Sequence, residues 1–73
     1  MTCKYAVLIE KSPTGYGAYV PDLPGCVAAA STFEETENLI REAIEFHIEG
    51  MREVGESIPQ PTTFAEMVDI TAA

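Results

Sequence analysis

The sequence contains no tryptophan, one histidine, 2 cysteines and only 4 lysine and arginine residues among 73. Each scarcity excludes something. Four cationic side chains against 12 aspartates and glutamates leave a net charge of -8. That balance repels a phosphate backbone and argues against direct nucleic-acid binding. Cys3 and Cys26 are too few for a disulfide framework and show no C-x-x-C spacing, so both read as free thiols of a reducing cytoplasm. The start of the chain lacks the charged-then-apolar build of a signal peptide. No apolar run approaches the ~20 residues that a bilayer span requires. The expectation is a soluble, cytoplasmic protein with no membrane partner. Length is the last scarcity: residues 1–73 are one domain's worth of chain, burying only ~60% of the surface the unfolded chain exposes. Such a domain leans on a second copy or a bound partner.

What is present is globular. Hydrophobic residues make up 47% and charged residues 22%, which excludes a disordered chain. Residues 5–11 are a short apolar, β-branched run that reads as a strand, with Tyr5, Val7 and Ile9 on one face and Ala6, Leu8 and Glu10 on the other. Ser12, Pro13, Thr14 and Gly15 supply a turn, residues 16–20 return as the second strand, and Pro21 ends it. In Asp22-Leu23-Pro24-Gly25-Cys26 the Pro-Gly pair fits the two central positions of a type II turn. Residues 26–30 are a third strand whose alanines let a helix lie close. Thr32 and Glu35 match a capping box, residues 33–54 form a helix, and Gly55 is its left-handed stop. Phe33, Ile40, Ala43, Ile44, His47, Ile48, Met51 and Val54 form its apolar stripe. Leu39 and Phe46 widen that stripe beyond what one sheet face needs. Pro59 and Pro61 keep residues 56–62 extended, residues 63–66 fit one helical turn, and residues 67–70 read as a final strand. Following a helix, that strand joins the sheet by a right-handed crossover, parallel to a neighbour. The fold class is α+β, of β-β-β-α-β order: an antiparallel meander with one helix packed on it and a final short parallel strand.

Few residues invite chemistry. Two-metal nuclease catalysis needs carboxylates converging on ions ~4 Å apart; of the candidates, Glu10, Asp69 on the last strand and the helix glutamates, Glu10 reads instead as a solvent-facing strand end and the glutamates as a solvated helix face. His47 has no visible nucleophile beside it, and Cys3, Cys26 and His47 lack a fourth zinc ligand. No catalytic residue, metal or cofactor is expected. The turn around Asp22 has a geometric role, with Asp22 capping nearby N–H groups, and its tip, with Tyr19 and Leu23, is a candidate partner contact. The first strand is apolar on both faces, so the uncovered sheet face calls for self-association as a dimer or higher oligomer. Leu39 and Phe46 are the candidate oligomer contacts.

Residues 5–11, then Gly15-Tyr16-Gly17-Ala18-Tyr19-Val20-Pro21-Asp22-Leu23-Pro24-Gly25-Cys26, then Ala43-Ile44-Glu45-Phe46-His47-Ile48-Glu49-Gly50 and Gly55-Glu56-Ser57-Ile58-Pro59 resemble the HicB-like antitoxins. The resemblance covers nearly the whole chain. It implies a partial RNase H-like domain, agreeing with the pattern above, that binds and blocks a small basic mRNA-cleaving HicA-like ribonuclease toxin related in fold to double-stranded-RNA-binding domains. Fuller members carry a helix-turn-helix or ribbon-helix-helix segment after this domain. This sequence stops at Ala73, so operator binding is not carried over. The expected function is that of a non-enzymatic antitoxin whose acidic charge steers a basic toxin while a few apolar anchors hold it. Tyr16, Tyr19, Asp22 and Leu23 on the hairpin side, with Glu10, are the candidate contacts, and the acidic helix face is the other surface. The alternatives are a homo-oligomeric structural or adaptor module with no toxin, and a vestigial nuclease.

Overall fold

The computed structural model describes residues 3–72. Strands β1 (Leu8–Ser12), β2 (Gly15–Tyr19) and β3 (Val27–Ala30) are followed by one helix, α1 (Phe33–Glu53). The strands form an antiparallel sheet in the order β1-β2-β3, so the fold is α+β with a meander and one covering helix. No helix among the described residues is long and apolar enough to cross a membrane.

Register assigns the two sheet faces. Ile9, Ala18 and Ala28 stand opposite one another across the strands and face α1. Ala18 is buried, and Ile9 and Ala28 are half-buried. Leu8, Tyr19 and Val27 form the neighbouring cross-strand row and point to the opposite side. The ladder begins at Leu8, not at Tyr5, because β2 offers residues 5–7 nothing to pair with. Beyond Tyr19 the chain turns away: the Val20 N–H donates to the Cys26 carbonyl (3.3 Å), and Pro21 has no N–H.

The helix forms where its caps are. Thr32 is extended (φ -121°, ψ 160°) and its hydroxyl accepts from the Glu35 N–H at 3.1 Å. The Glu35 carboxylate answers by accepting the Thr32 hydroxyl proton at 2.9 Å, rather than reaching a backbone N–H as a full capping box does. At the other end Gly55 (φ 74°) is the left-handed stop. Its N–H donates to the Arg52 carbonyl (3.1 Å) and the Glu56 N–H to that of Met51 (2.9 Å), the pair of bonds of a Schellman motif. α1 lies chiefly over β2 and β3. The small side chains of Ala18 and Ala28 permit that approach.

The core is Ala18, Val20, Leu23, Cys26 and Ile40, with Tyr5, Val7, Ile9, Ala28, Ala43 and Ile44 packed around it. Three of the five come from the segment that links β2 to β3. Buried Thr36 satisfies its hydroxyl on the Thr32 carbonyl at 2.8 Å.

After Gly55 the chain is extended, without helix or strand, to residue 72. The helical turn expected at 63–66 does not form, and residues 67–70 pair with no strand of this chain. The reason lies in where the tail is anchored: Thr62 and Thr63 are held by Asp22, at the end of the sheet rather than along a strand edge. Phe64, Met67, Val68 and Ile70 are therefore 89%, 97%, 66% and 79% exposed. The molecule measures 51 × 26 × 19 Å with a radius of gyration of 14.1 Å, against ~11 Å for a compact chain of this length.

Candidate functional site

Two tight turns in tandem shape the segment between β2 and β3. The Leu23 N–H donates to the Val20 carbonyl (3.0 Å) and the Cys26 N–H to the Leu23 carbonyl (3.1 Å). Pro21 and Pro24 occupy the first central position of each turn, and Gly25 supplies φ +83° at the second position of the latter, the type II geometry its sequence dictates. The turns fold Leu23 inward. At 0% exposure its side chain is a core anchor, which corrects its assignment as a partner contact: with Val20 and Cys26 it buries apolar surface that a turn tip would leave in water. Burial likewise pushes the Cys26 thiol pKa up, so this thiol is held in its neutral form.

Asp22, at the second central position of the first turn, faces the tail. Its carboxylate accepts four hydrogen bonds: from the Thr62 N–H (2.9 Å) and hydroxyl (3.0 Å), and from the Thr63 N–H (3.0 Å) and hydroxyl (2.9 Å). The Thr63 and Thr62 N–H groups are the chief cause of a pKa lowered from 3.8 to about 2; the two hydroxyls add to it, against a partial desolvation that opposes it. Asp22 does cap backbone N–H groups, but those of a segment 40 residues away. A second clasp lies upstream, where the Tyr5 hydroxyl donates to the Pro59 carbonyl at 2.6 Å. Burial raises the Tyr5 pKa, with the charges of Cys3 and Asp22 acting in the same direction.

The remaining expected contacts divide between the two faces of the sheet. Tyr16 stands on the helix side, edge-on to Phe33 with ring centroids 5.9 Å apart and planes at 89°. Tyr19 and Glu10 lie on the outer face, in adjacent rows: Leu8–Tyr19–Val27 and Glu10–Gly17–Ala29. No helix or strand among the described residues covers this face. Leu8 (37%), Tyr19 (39%) and Val27 (64%) leave a contiguous apolar row exposed, with the Glu10 carboxylate beside it and the small Gly17 and Ala29 between. The hairpin constellation is thus not a single cluster. Tyr19 and Glu10 come together, Tyr16 is on the other side, Asp22 holds the tail and Leu23 is inside. Leu8 and Val27 complete the outer row, and the alternation of β1, which sets Leu8 beside Glu10, is the signal that points to it.

Leu39 (42% exposed) and Phe46 (80% exposed) flank a shallow groove between α1 and β3, with Val27, Ala29, Ala43 and Glu42. His47 is half-buried in a neighbouring depression with Pro24, Met51 and Val54. Among the described residues no three His, Cys, Asp or Glu side chains gather where a metal ion would sit. Glu10 is on the outer sheet face and Asp69 on the exposed tail, so these two carboxylates share no site.

Comparison with known proteins places this geometry. Residues 5–72 match the family described as the HicB-like antitoxin of bacterial toxin-antitoxin systems. A 14.9 kDa protein from the rep-hol intergenic region of Haemophilus phage HP1 is 42% identical over 65 residues, 89% of this chain and 49% of its own length. The chain therefore spans about half of that relative. A UPF0150 protein of Synechocystis is 37% identical over 67 residues, covering 90% of this chain and 85% of that protein, and one of Thermoplasma acidophilum is 41% identical over 58 residues, covering 78% and 84%. Among solved structures, a chain of a HicA3 and HicB3 toxin-antitoxin complex superposes with a TM-score of 0.70 at 33% identity, over 82% of this chain and 70% of that one.

Proposed function

The chain belongs to the HicB-like antitoxin family of bacterial toxin-antitoxin systems, and from that premise we propose that it is a non-enzymatic, cytoplasmic antitoxin domain that binds a small basic HicA-like RNA-cleaving toxin and stops its activity. The observation that carries the reading is the likeness, at 33% identity, to a chain from a HicA3 and HicB3 toxin-antitoxin complex. Charge supports it: a chain of net charge -8 speeds encounter with a basic partner and opposes binding of RNA in the toxin's place.

The outer sheet face is the proposed docking surface. Leu8, Tyr19 and Val27 offer the apolar anchor row and Glu10 an acidic neighbour, the combination of a dry centre and a charged rim found in specific interfaces. Tyr16 is 5.9 Å from Phe33 on the opposite side and acts through the helix start rather than by contact. Asp22 acts through the tail it holds.

The test takes any short basic, histidine-containing protein found encoded beside this gene and mixes it with the purified chain in an RNA-cleavage assay. Cleavage should stop at equimolar complex. Association should slow as salt shortens the Debye length below ~10 Å, while dissociation changes little. Tyr19→Ala should speed dissociation by roughly 10- to 100-fold, the ~1–3 kcal/mol of an apolar anchor, without lowering the melting temperature by more than a few degrees. A neighbouring basic protein that neither binds nor is inhibited at micromolar concentration overturns the reading in favour of a toxin-free adaptor module.

A further inference from the structure

The tail and the β3 edge are each incomplete, and they are complementary. Among the described residues, β3 pairs with β2 on one side and with no strand on the other. Its sequence, Val-Ala-Ala-Ala, has none of the charges or prolines by which open strand edges are usually guarded. The opposite edge, β1, carries Glu10 and Lys11. Beside the bare edge runs the groove flanked by Leu39 and Phe46.

Residues 64–70 have the character of the missing strand. They carry no helix or strand of their own, would reach ~23 Å at the strand rise, and exceed the four residues of β3 in length. In a strand, Phe64, Glu66, Val68 and Ile70 share one face and Ala65, Met67 and Asp69 the other. Phe64, Val68 and Ile70 of the first set match Leu39, Ala43 and Phe46 of the groove, which Glu42 also lines. The Asp22 clasp on Thr62 and Thr63 directs this segment off the end of the sheet, out of line with its own β3 edge.

We propose that residues 64–70 of one copy add as a strand to the β3 edge of a second copy, laying Phe64, Val68 and Ile70 against Leu39 and Phe46, and that the two copies exchange tails reciprocally. Burial of the three groove-facing apolar side chains removes on the order of 300 Å² from each tail and as much from each groove, so two reciprocal sites total ~1,200 Å², the lower end of the range for specific interfaces. The exchange also leaves the outer sheet face open in both copies. It therefore goes beyond the antitoxin reading without depending on it.

The test needs only this protein. Sedimentation equilibrium should give a dimer at micromolar concentration, with amides of residues 65–70 protected from hydrogen exchange. Because both copies carry net charge -8, raising salt should tighten the dimer, the reverse of its effect on association with a basic toxin. Val68→Asp in the tail and Phe46→Glu in the groove should each raise the dimer dissociation constant at least 10-fold while leaving the helical circular dichroism unchanged, both residues being exposed. Mixing the two variants should restore association, since an intact tail from one meets an intact groove of the other. A monomer throughout the range overturns the proposal, as does a dimer indifferent to Val68→Asp. Failure of the mixture to recover also overturns it, because tail-to-tail or groove-to-groove contacts would then explain the loss.

Discussion

Leu23→Ala separates a core residue from a contact residue within one motif. Leu23 has 0% exposure and packs with Ala18, Val20, Cys26 and Ile40. The tandem turns that carry it are held by backbone hydrogen bonds from Val20, Leu23 and Cys26, so the backbone has little freedom to collapse into the space that truncation opens. The cost belongs in the range of ~2–5 kcal/mol measured for buried leucine truncations. A chain of this length has roughly 4–11 kcal/mol of stability in total. At 4–8 °C per kcal/mol for domains of this size, a loss of ~3 kcal/mol lowers the melting temperature by ~12–24 °C. Thermal and urea unfolding followed by circular dichroism measure it directly. Tyr19→Ala, one residue before the first turn opens and 39% exposed, should cost under ~1 kcal/mol in the same assay. If Leu23→Ala melts within ~4 °C of the parent protein yet loses partner binding, Leu23 is a contact and the inward fold of the turns is refuted.

Asp22→Asn should speed amide exchange at Thr62 and Thr63, whose N–H groups it anchors. With its pKa at about 2 in the folded chain against 3.8 ordinarily, the clasp contributes stability in full above pH 3.8 and loses it as pH falls through about 2. The amide shifts of Thr62 and Thr63 should titrate with a midpoint near 2, and a midpoint near 3.8 refutes the clasp. Thr32→Ala removes the N-cap acceptor of the Glu35 N–H and should cost ~1 kcal/mol, read as a fall of a few degrees in melting temperature; no fall refutes the capping role.

Local rules made most of the fold legible. The three strands, the Pro24-Gly25 turn, the cap at Thr32 and the stop at Gly55 each depend on residues a few positions apart, where turn and capping chemistry acts. What stayed hidden was non-local. Nothing near Asp22 in the chain shows that its carboxylate holds Thr62 and Thr63, and once that clasp forms, residues 67–70 leave the sheet rather than pair within it. Leu23 was misplaced for a related reason. Turn residues are usually solvent-facing, but two successive turns reverse the chain twice and drive Leu23, the residue they share, into the core. The outer face was only half legible, because strand alternation gives its residues but not which face the helix takes.

Size and charge together explain why such a chain is suited to being completed by others. A chain of 73 residues with five buried hydrophobic residues among those described has a small core, and a net charge of -8 adds self-repulsion that weakens it further. In the proposed complex a basic partner would relieve that repulsion as it covered the Leu8–Tyr19–Val27 row, so that binding and folding would draw on the same surface. By mass action, a partner present at 100 times its dissociation constant stabilises the folded state by ~2.7 kcal/mol, a substantial fraction of what a chain this size holds alone. The unpaired tail follows the same logic: a strand that finds no partner within the chain leaves apolar surface available for assembly. Stability in this molecule is therefore a function of concentration and company, and a melting temperature measured at one protein concentration describes only that condition.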